Sequence, residues 1–284
     1  MNIVGRSEVR VDAFDKATGR TKYYDDLAPK DALLIRVKHS TIAHGFVKSV
    51  DISKAEKIPG VVKILTCFDV PDIPFPTAGH PWSMDPSHQD IADRHLLNRH
   101  VRYYGDDVCA VIAEDEVAAM QAVRAIEVEY EELPFVLDVQ KAMEPGAPQL
   151  HEDGNTVTLP ECGFGGRYAD VQGEEFIHRS QTQRVSHIAM ETHCAVADYN
   201  PGTDRMTVWS PTQSTFGVRS CVAALLGMPM SHVRAIKTPM GGSFGCKQEM
   251  ILEPLAAVGA KMTCRPVKLQ LDRRETILCT VLRH

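Results

Sequence analysis

The residues whose types and spacing best suit chemistry lie in one short segment, Met240-Gly241-Gly242-Ser243-Phe244-Gly245-Cys246-Lys247-Gln248. Three glycines beside a lysine indicate a backbone that approaches another group closely, because glycine has no side chain to obstruct the approach. The generic chemistry of such a loop is the binding of an anion through backbone N–H groups. The spacing alone is equally compatible with a plain structural turn, so both interpretations stay open here.

Two well-known nucleotide-binding loops do not match this segment. A phosphate-binding loop of the G-x-x-x-x-G-K-[ST] type needs a second glycine, a lysine and a hydroxyl residue, whereas Cys246, Lys247 and Gln248 stand at those places counted from Gly241. The second glycine and the magnesium-binding hydroxyl are therefore missing. The dinucleotide-binding fingerprint G-x-G-x-x-G is also absent. A nucleotide-binding module is kept as an alternative that a binding measurement would test.

Composition limits the classes of protein to which the chain can belong. With 31 Lys and Arg against 37 Asp and Glu in 284 residues, the formal net charge is -6, and this acidic excess argues against nucleic acid as a partner. No run approaches the roughly 18 apolar residues of a membrane helix. The first ten residues include three charged side chains and lack the apolar block of a signal peptide. We therefore expect a cytoplasmic protein of about two domains.

Cysteine and histidine spacing does not indicate a metal site. The eight cysteines form no C-x-x-C pair, so most of them are predicted to be buried thiols. His178, His187, His193 and Cys194 are close in sequence, but no pair has the i, i+4 spacing of a helical metal site. A buried core histidine is therefore favoured for His193 over a zinc ligand.

Strand-like alternation dominates the first half of the chain. Residues 33–38 alternate apolar and polar side chains, and residues 61–66 form an apolar, β-branched run, so both are predicted strands. Residues 108–130 predict a strand, an alanine-rich helix and a second strand, with acidic residues at the helix start. The proline-rich stretch 69–90 predicts a long surface excursion, which is either functional or decoration.

The second half begins after a weakly periodic stretch rich in proline and glycine, predicted as a linker over residues 135–175. Residues 192–199 and 206–209 flank an Asn-Pro-Gly turn and predict a hairpin. Residues 218–225 have helical spacing, and Gly227 supplies a stop signal.

The last predicted elements are a strand at Val267–Leu271 and a helix opened by an acidic capping box at Asp272 and Glu275. No terminator follows this helix before His284. We therefore expect the chain to be a piece of a longer protein whose second domain is interrupted in its core. The strand at Val267–Leu271 is then expected to lose its cover and to promote association.

Several segments together resemble one family, the molybdenum hydroxylases, which include xanthine dehydrogenase and aldehyde oxidase. The segments that carry this resemblance span nearly all of the chain. They are the Gly-Gly-x-Phe-Gly-x-Lys loop at Gly241–Lys247, Ser210-Pro211-Thr212-Gln213, Asp12–Asp26, Pro59–Val62, Val101–Asp106 and Val128–Pro134.

The resemblance implies an α+β fold in which an α/β hammerhead domain is followed by the first part of a molybdopterin-binding domain. The boundaries that it implies divide the chain into four segments. These are an N-terminal extension at 1–17, the hammerhead domain at 18–134, a linker at 135–175 and an incomplete molybdopterin-binding domain at 176–284.

The resemblance also implies roles at the site. Gln213 is similar to a residue that donates a hydrogen bond to the molybdenum centre, and the loop residues Gly242, Ser243, Phe244 and Gly245 are similar to those beside the cofactor. Phe244 and Gln248 are expected to contact substrate, and no residue of the chain is expected to ligate the metal directly. Without the family, the favoured explanation is that Gln213 is a helix cap and Phe244 a core residue.

The activity implied is hydroxylation of a purine, xanthine or hypoxanthine, with oxygen from water. Molybdopterin is the implied cofactor, and electrons leave through 2Fe-2S clusters and FAD on partner subunits. The general base is expected outside this chain, in the C-terminal half of the molybdenum subunit, so the catalytic residues are unknown and the isolated chain is expected to be inactive. An aldehyde or another N-heterocycle such as nicotinate, and a non-catalytic interaction module, are the alternatives.

Overall fold

The computed structural model describes residues 4–76, 92–152, 154–156, 165–166 and 171–282. The strands in these residues are β1 (Leu33–His39), β2 (Gly45–Asp51), β3 (Val61–Thr66), β4 (His100–Val101), β5 (Asp107–Ala113), β6 (Glu127–Glu132), β7 (Cys194–Asn200), β8 (Arg205–Ser210), β9 (Val233–Lys237) and β10 (Val267–Gln270). The helices are α1 (Ala13–Ala17), α2 (Tyr24–Leu27), α3 (Glu116–Ala125), α4 (Val139–Ala142), α5 (Thr215–Leu226), α6 (Glu253–Thr263) and α7 (Arg273–Cys279).

One seven-stranded sheet joins both halves of the chain, in the order β3-β5-β1-β10-β7-β8-β9. β1 and β10 pair in parallel, as do β8 and β9, and the other neighbours are antiparallel. A smaller sheet has the order β4-β2-β6. The mixture of helices with antiparallel and parallel strands confirms the predicted α+β class.

The expectation that the strand at Val267–Leu271 is uncovered is wrong. This strand, β10, lies between β1 and β7 in the middle of the sheet, and Val267 and Leu269 are both 0% exposed. Helix α6 covers it, because a methyl group added at Gly259 would meet the side chains of Ile35 and Val267. Its neighbour on one side in the sheet is β1, a strand from the other half of the sequence.

The predicted strand, helix and strand at residues 108–130 are confirmed as β5, α3 and β6. Helix α3 begins where predicted, because the Asp115 side chain accepts a hydrogen bond from the backbone N–H of Ala118 at 2.8 Å. The two strands belong to different sheets, however, so this unit connects the large sheet to the small one.

The hairpin of the second half is confirmed as β7 and β8, which pair in antiparallel fashion. Helix α5 ends at Gly227, whose φ of 61° is the left-handed conformation that glycine adopts readily. The capping box of Asp272 and Glu275 opens α7 as predicted. The expectation of an unterminated last helix is wrong, since α7 ends at Cys279 and Thr280 is extended.

The excursion predicted at residues 69–90 falls mostly at 77–91, outside the described residues. Its flanks come together, because Phe75 and Arg94 form an isolated antiparallel bridge. The predicted linker includes α4, and its bounds stay a prediction. Among the residues described, none of the helices has both the length and the apolar character needed to cross a membrane.

Candidate functional site

The glycine-rich segment and Gln213 lie side by side at one end of the large sheet. Gln213 follows β8, and the segment Pro239–Gln248 follows β9, the strand that pairs in parallel with β8. Parallel neighbours end at the same edge of a sheet, so the residues after them meet there. The backbone N–H of Gln213 donates to the carbonyl of Lys247 at 2.8 Å, which fixes the contact.

The glycines of this segment, which we call the glycine loop (Gly241–Lys247), are required by its geometry. Gly242 and Gly245 have φ of 103° and 99°, a region that other residues rarely adopt. A Cβ at Gly241 would lie 2.5 Å from Cβ of Glu191. Phe244 adopts φ of 55°, which is strained for an aromatic residue.

Lys247 faces away from any ligand of the loop. It is 4% exposed, and its Nζ contacts Oε2 of Glu191 at 2.7 Å. Oε2 of Glu191 also accepts the backbone N–H of Gly241 at 3.1 Å. The lysine that suggested an anion site in the sequence is therefore neutralised by a carboxylate within the protein. Any anion at the loop must be bound by backbone N–H groups or by other cations.

The structure does not support the alternatives that Gln213 is a helix cap and Phe244 a core residue. The N-cap residue of α5 is Ser214, and Gln213 is exposed with no side-chain hydrogen bond to a described residue. Phe244 is 74% exposed, so it is not a core residue. Gln248 is exposed on the same loop. Each of these three side chains is free to contact a bound molecule.

A cleft of about 720 Å³ lies between the loop and the N-terminal segment. Gly242, Ser243 and Phe244 line one part of it. The other part is mainly basic. It comes from residues 10–22, which are distant in sequence from the loop, and from Lys237, which lies just before the loop. The charged residues lining the cleft are Arg10, Lys16, Arg20, Lys22, Lys237, Asp12 and Asp15.

Basic side chains outnumber acidic ones in this cleft by five to two, which favours an anionic ligand. Asp12 is already paired with both Arg10 and Lys16, and these two cations hold its pKa well below the usual range. The sequence indicated an N-terminal extension up to residue 17, the start of the hammerhead domain at residue 18 and a family-like segment at Asp12–Asp26, but it placed none of them near the glycine loop. The contribution of residues 10–22 was missed because no local pattern shows that residues more than 200 positions apart line the same cleft.

Cys246 of the glycine loop is held by a hydrogen bond from the buried side chain of His193. Cys246 is buried, and its carbonyl oxygen lies 2.7 Å from Nε2 of His193, which therefore carries the proton. Burial lowers the pKa of His193 to about 4, so the ring is neutral. The prediction that His193 is a buried core histidine is confirmed, since it is 5% exposed. Cys246 is a packing residue of the loop.

The described cysteines are buried with the exception of Cys264, as predicted for most of them. Among the described residues, one group could bring three metal-ligating atoms together: His39, Asp107 and Cys279. Arg94 donates to Asp107 at 2.7 Å, however, and its cation opposes a metal ion at that place. We interpret this group as an internal charge network that links β1, β5 and α7.

Several features of the loop fit an anionic, flat cofactor. Gln213 offers a neutral amide that can donate a hydrogen bond without competing as a ligand. Gly242 and Gly245 allow the backbone to approach closely, and Phe244 exposes an aromatic face in a strained conformation.

Comparison with known proteins assigns the class. Residues 163–284 match the molybdopterin cofactor-binding domain, and residues 18–134 match the a/b hammerhead domain of aldehyde oxidase and xanthine dehydrogenase. The fold thus combines a hammerhead domain with a molybdopterin-binding domain. More particularly, the chain belongs to the aldehyde oxidase and xanthine dehydrogenase family.

Individual relatives agree with this assignment. The chain is 39% identical over 279 residues to the xanthine dehydrogenase molybdenum-binding subunit of Escherichia coli O157:H7, covering 97% of the chain and 37% of that protein. It is 29% identical to the nicotinate dehydrogenase large molybdopterin subunit of Eubacterium barkeri, over 99% of the chain and 64% of that protein.

The structure of quinoline 2-oxidoreductase from Pseudomonas putida 86 is similar with a TM-score of 0.83 and 28% identity, over 99% of the chain and 36% of that protein. Aldehyde oxidoreductase from Desulfovibrio gigas is similar with a TM-score of 0.79 and 25% identity, over 96% and 31%. The chain thus spans about a third of the first relatives that it matches.

Proposed function

We propose that this chain forms one wall of the cofactor site in a molybdenum hydroxylase that acts on a purine. The observation that carries the proposal is the position of Gln213, whose backbone is tied to Lys247 while its side-chain amide is free beside Phe244's loop. An anionic cofactor fits beside a glycine-lined backbone, and the free Gln213 amide can donate a hydrogen bond to an oxygen ligand of that cofactor.

The residues that would hold the cofactor are Gln213, Gly242, Ser243, Phe244 and Gly245. When bound, the molybdenum cofactor would supply the redox chemistry of hydroxylation, with electrons passing to 2Fe-2S clusters and FAD on partner subunits. The Gln213 amide orients the cofactor by donating a hydrogen bond. Gly242 and Gly245 bring the backbone within reach of it, and the basic cleft beside Ser243 attracts its negative charge.

Substrate recognition is assigned to Phe244 and Gln248, both of which are exposed on the loop. The Phe244 ring presents a flat apolar face on which a heteroaromatic ring can stack. The Gln248 amide both donates and accepts hydrogen bonds, which suits the edge of a purine. The names of two bacterial relatives support a purine, since these relatives are called xanthine dehydrogenase subunits.

The general base is proposed to come from outside this chain, in the remaining part of the molybdenum subunit. The chain spans 37% of the Escherichia coli relative, which leaves most of such a subunit unaccounted for. Carboxylates near the loop have other roles: Glu191 is paired with Lys247, and Glu253 accepts a hydrogen bond from Ser210 at 2.6 Å. The isolated chain is accordingly proposed to be inactive.

A second candidate is hydroxylation of another N-heterocycle, such as nicotinate. It is favoured by the likeness to nicotinate dehydrogenase and to quinoline 2-oxidoreductase over nearly the whole chain. The same loop would serve, because Phe244 stacks on any heteroaromatic ring and Gln248 can hydrogen-bond a ring nitrogen.

The test uses the complex purified from its native host. Molybdenum is expected by metal analysis, together with pterin fluorescence after release of the cofactor and xanthine-dependent reduction of a dye. If the dye is reduced with nicotinate but not with xanthine, the purine is ruled out as substrate and another N-heterocycle takes its place. A complex with neither molybdenum nor pterin would refute both and favour a non-catalytic interaction module.

A further inference from the structure

One carboxylate joins the two ends of the glycine loop. Oε2 of Glu191 accepts the backbone N–H of Gly241 at 3.1 Å and Nζ of Lys247 at 2.7 Å. The backbone N–H of Glu191 in turn donates to the carbonyl of Gly241 at 3.0 Å. Gly241 opens the loop and Lys247 closes it, so a side chain from outside the loop holds both of its ends.

The same residue is connected to Gln213 through Lys247. The Lys247 side chain is held by Glu191, while its backbone carbonyl accepts the N–H of Gln213 at 2.8 Å. A shift of Lys247 would therefore move the loop and Gln213 together. The three residues form a continuous chain of hydrogen bonds from the segment before β7 to the start of α5.

Burial makes this connection rigid. The side chains of Lys247 and Glu191 are 3% and 12% exposed. If either partner is removed, the other is left as an unpaired charge in a low-dielectric interior, which is much more costly than losing an exposed ion pair. Lys247 therefore cannot turn toward a ligand without abandoning the Glu191 carboxylate.

We propose that Glu191 is a positioning residue of the cofactor site. It acts through Gly241 and Lys247, and it places the backbone of the glycine loop and the amide of Gln213 in a fixed relation. The identity of the positioned group as the molybdenum cofactor rests on the proposed function. The positioning itself is a property of this chain and can be tested without the cofactor.

The first experiment measures amide hydrogen exchange of the full chain in four forms: wild type, Glu191→Gln, Lys247→Met and the double variant. Each single variant is expected to speed exchange of the loop amides at least tenfold while exchange in β1 and β10 changes little. The double variant, which leaves no unpaired buried charge, is expected to lie closer to wild type than either single variant. It also keeps the test informative if a single variant fails to fold.

A matched control is the ion pair of Lys54 and Glu127, which has a similar distance of 2.6 Å but is 67% and 66% exposed. Lys54→Met and Glu127→Gln are expected to leave loop exchange unchanged. The proposal is overturned if the variants of Glu191 and Lys247 behave like these controls. It is also overturned if exchange rises equally throughout the large sheet, since that would show a loss of overall stability and not of loop position.

The second experiment measures molybdenum per subunit in the assembled complex. Glu191→Gln is expected to lower the molybdenum content severalfold while the subunit ratio is unchanged, and the double variant is expected to recover part of the loss. Equal molybdenum in all forms would contradict a positioning role toward the cofactor. If the wild-type complex itself holds no molybdenum, the proposed function fails, while the exchange measurement still decides the role of Glu191.

Discussion

Leu33 of β1 lies opposite Val267 of β10 in a parallel pair of strands. These residues come from the two regions that match separate domains, yet they are neighbours in the same sheet, and both are 0% exposed. The hammerhead region and the cofactor-binding region therefore share one hydrophobic core. Gln213 and the glycine loop follow β8 and β9, the last two strands in the order of this sheet.

The shared sheet predicts that the hammerhead region does not fold well alone. A fragment of residues 18–134 would leave β1 as an open edge and would expose the apolar side chains that α6 and β10 cover. Size-exclusion chromatography is expected to show association, and amide NMR spectra are expected to be poorly dispersed. A monomeric fragment with a dispersed spectrum and cooperative unfolding would contradict the shared core.

Gly241→Ala is expected to displace the glycine loop. The new methyl carbon would lie only 2.5 Å from the Cβ of Glu191, which is too close for two carbon atoms, so one backbone segment must shift. We expect a loss of roughly 1–3 kcal/mol in the free energy of unfolding, measured with denaturant. Gly173→Ala is the control, because nothing lies within 4 Å of a Cβ there. Equal effects of the two substitutions would rule out the close contact.

Phe244→Gly is expected to separate stability from activity. Phe244 is 74% exposed with φ of 55°, so glycine relieves backbone strain and little burial is lost. The thermal midpoint of unfolding is expected to stay equal or to rise. KM for the heterocyclic substrate of the complex is expected to rise, because the stacking face is removed. A lower midpoint with unchanged KM would show a purely structural role for the ring.

Gln213→Ala is expected to leave the fold intact and to impair turnover. The side chain is exposed and has no hydrogen bond to the described residues, so the stability change is expected within about 0.5 kcal/mol. If its amide steadies the cofactor in the transition state, kcat of the complex falls about a hundredfold. Wild-type kcat in this variant would remove Gln213 from the site.

His39 and His193 are expected to make the stability of the fold depend on pH in opposite directions. Burial alone would lower the pKa of His39, but the carboxylates of Asp107 at 2.9 Å and Glu275 at 3.6 Å outweigh it and raise the pKa to about 10. Its contribution to stability is complete below the unfolded pKa of about 6.5 and is lost as the pH rises toward 10. Burial lowers the pKa of His193 to about 4, so its contribution is complete above 6.5 and is lost as the pH falls toward 4.

The thermal midpoint is therefore expected to pass through a maximum near pH 6.5 as far as these two groups are concerned. His39→Gln is expected to flatten the alkaline side of this profile and His193→Gln the acidic side. If neither substitution changes its own side of the profile, the two buried environments are not as the structure shows them.

Local patterns predicted much of the fold. Alternation identified β1, acidic residues indicated the start of α3, and Gly227 indicated the end of α5. Helix α6 was missed because it is buried on nearly every side and shows no polar face that would reveal its period. The position of β10 in the sheet was also missed, because its partner β1 is more than 200 residues away and no local signal encodes such pairing.

The same distinction holds at the candidate site. The glycine loop was noticed from its residue types and spacing, whereas Gln213 was singled out only by the resemblance to a known family. Glu191 was not, because a single glutamate gives no sign that it will meet Lys247 in the fold. The basic contribution of residues 10–22 to the cleft was missed for the same reason.

The most direct test of the account is a crystal structure of the intact complex, with anomalous scattering used to locate molybdenum. The account predicts molybdenum beside the glycine loop, with the Gln213 amide donating a hydrogen bond to a ligand of the metal and Phe244 facing the substrate. Molybdenum located elsewhere, with Gln213 and Phe244 both facing solvent, would contradict it.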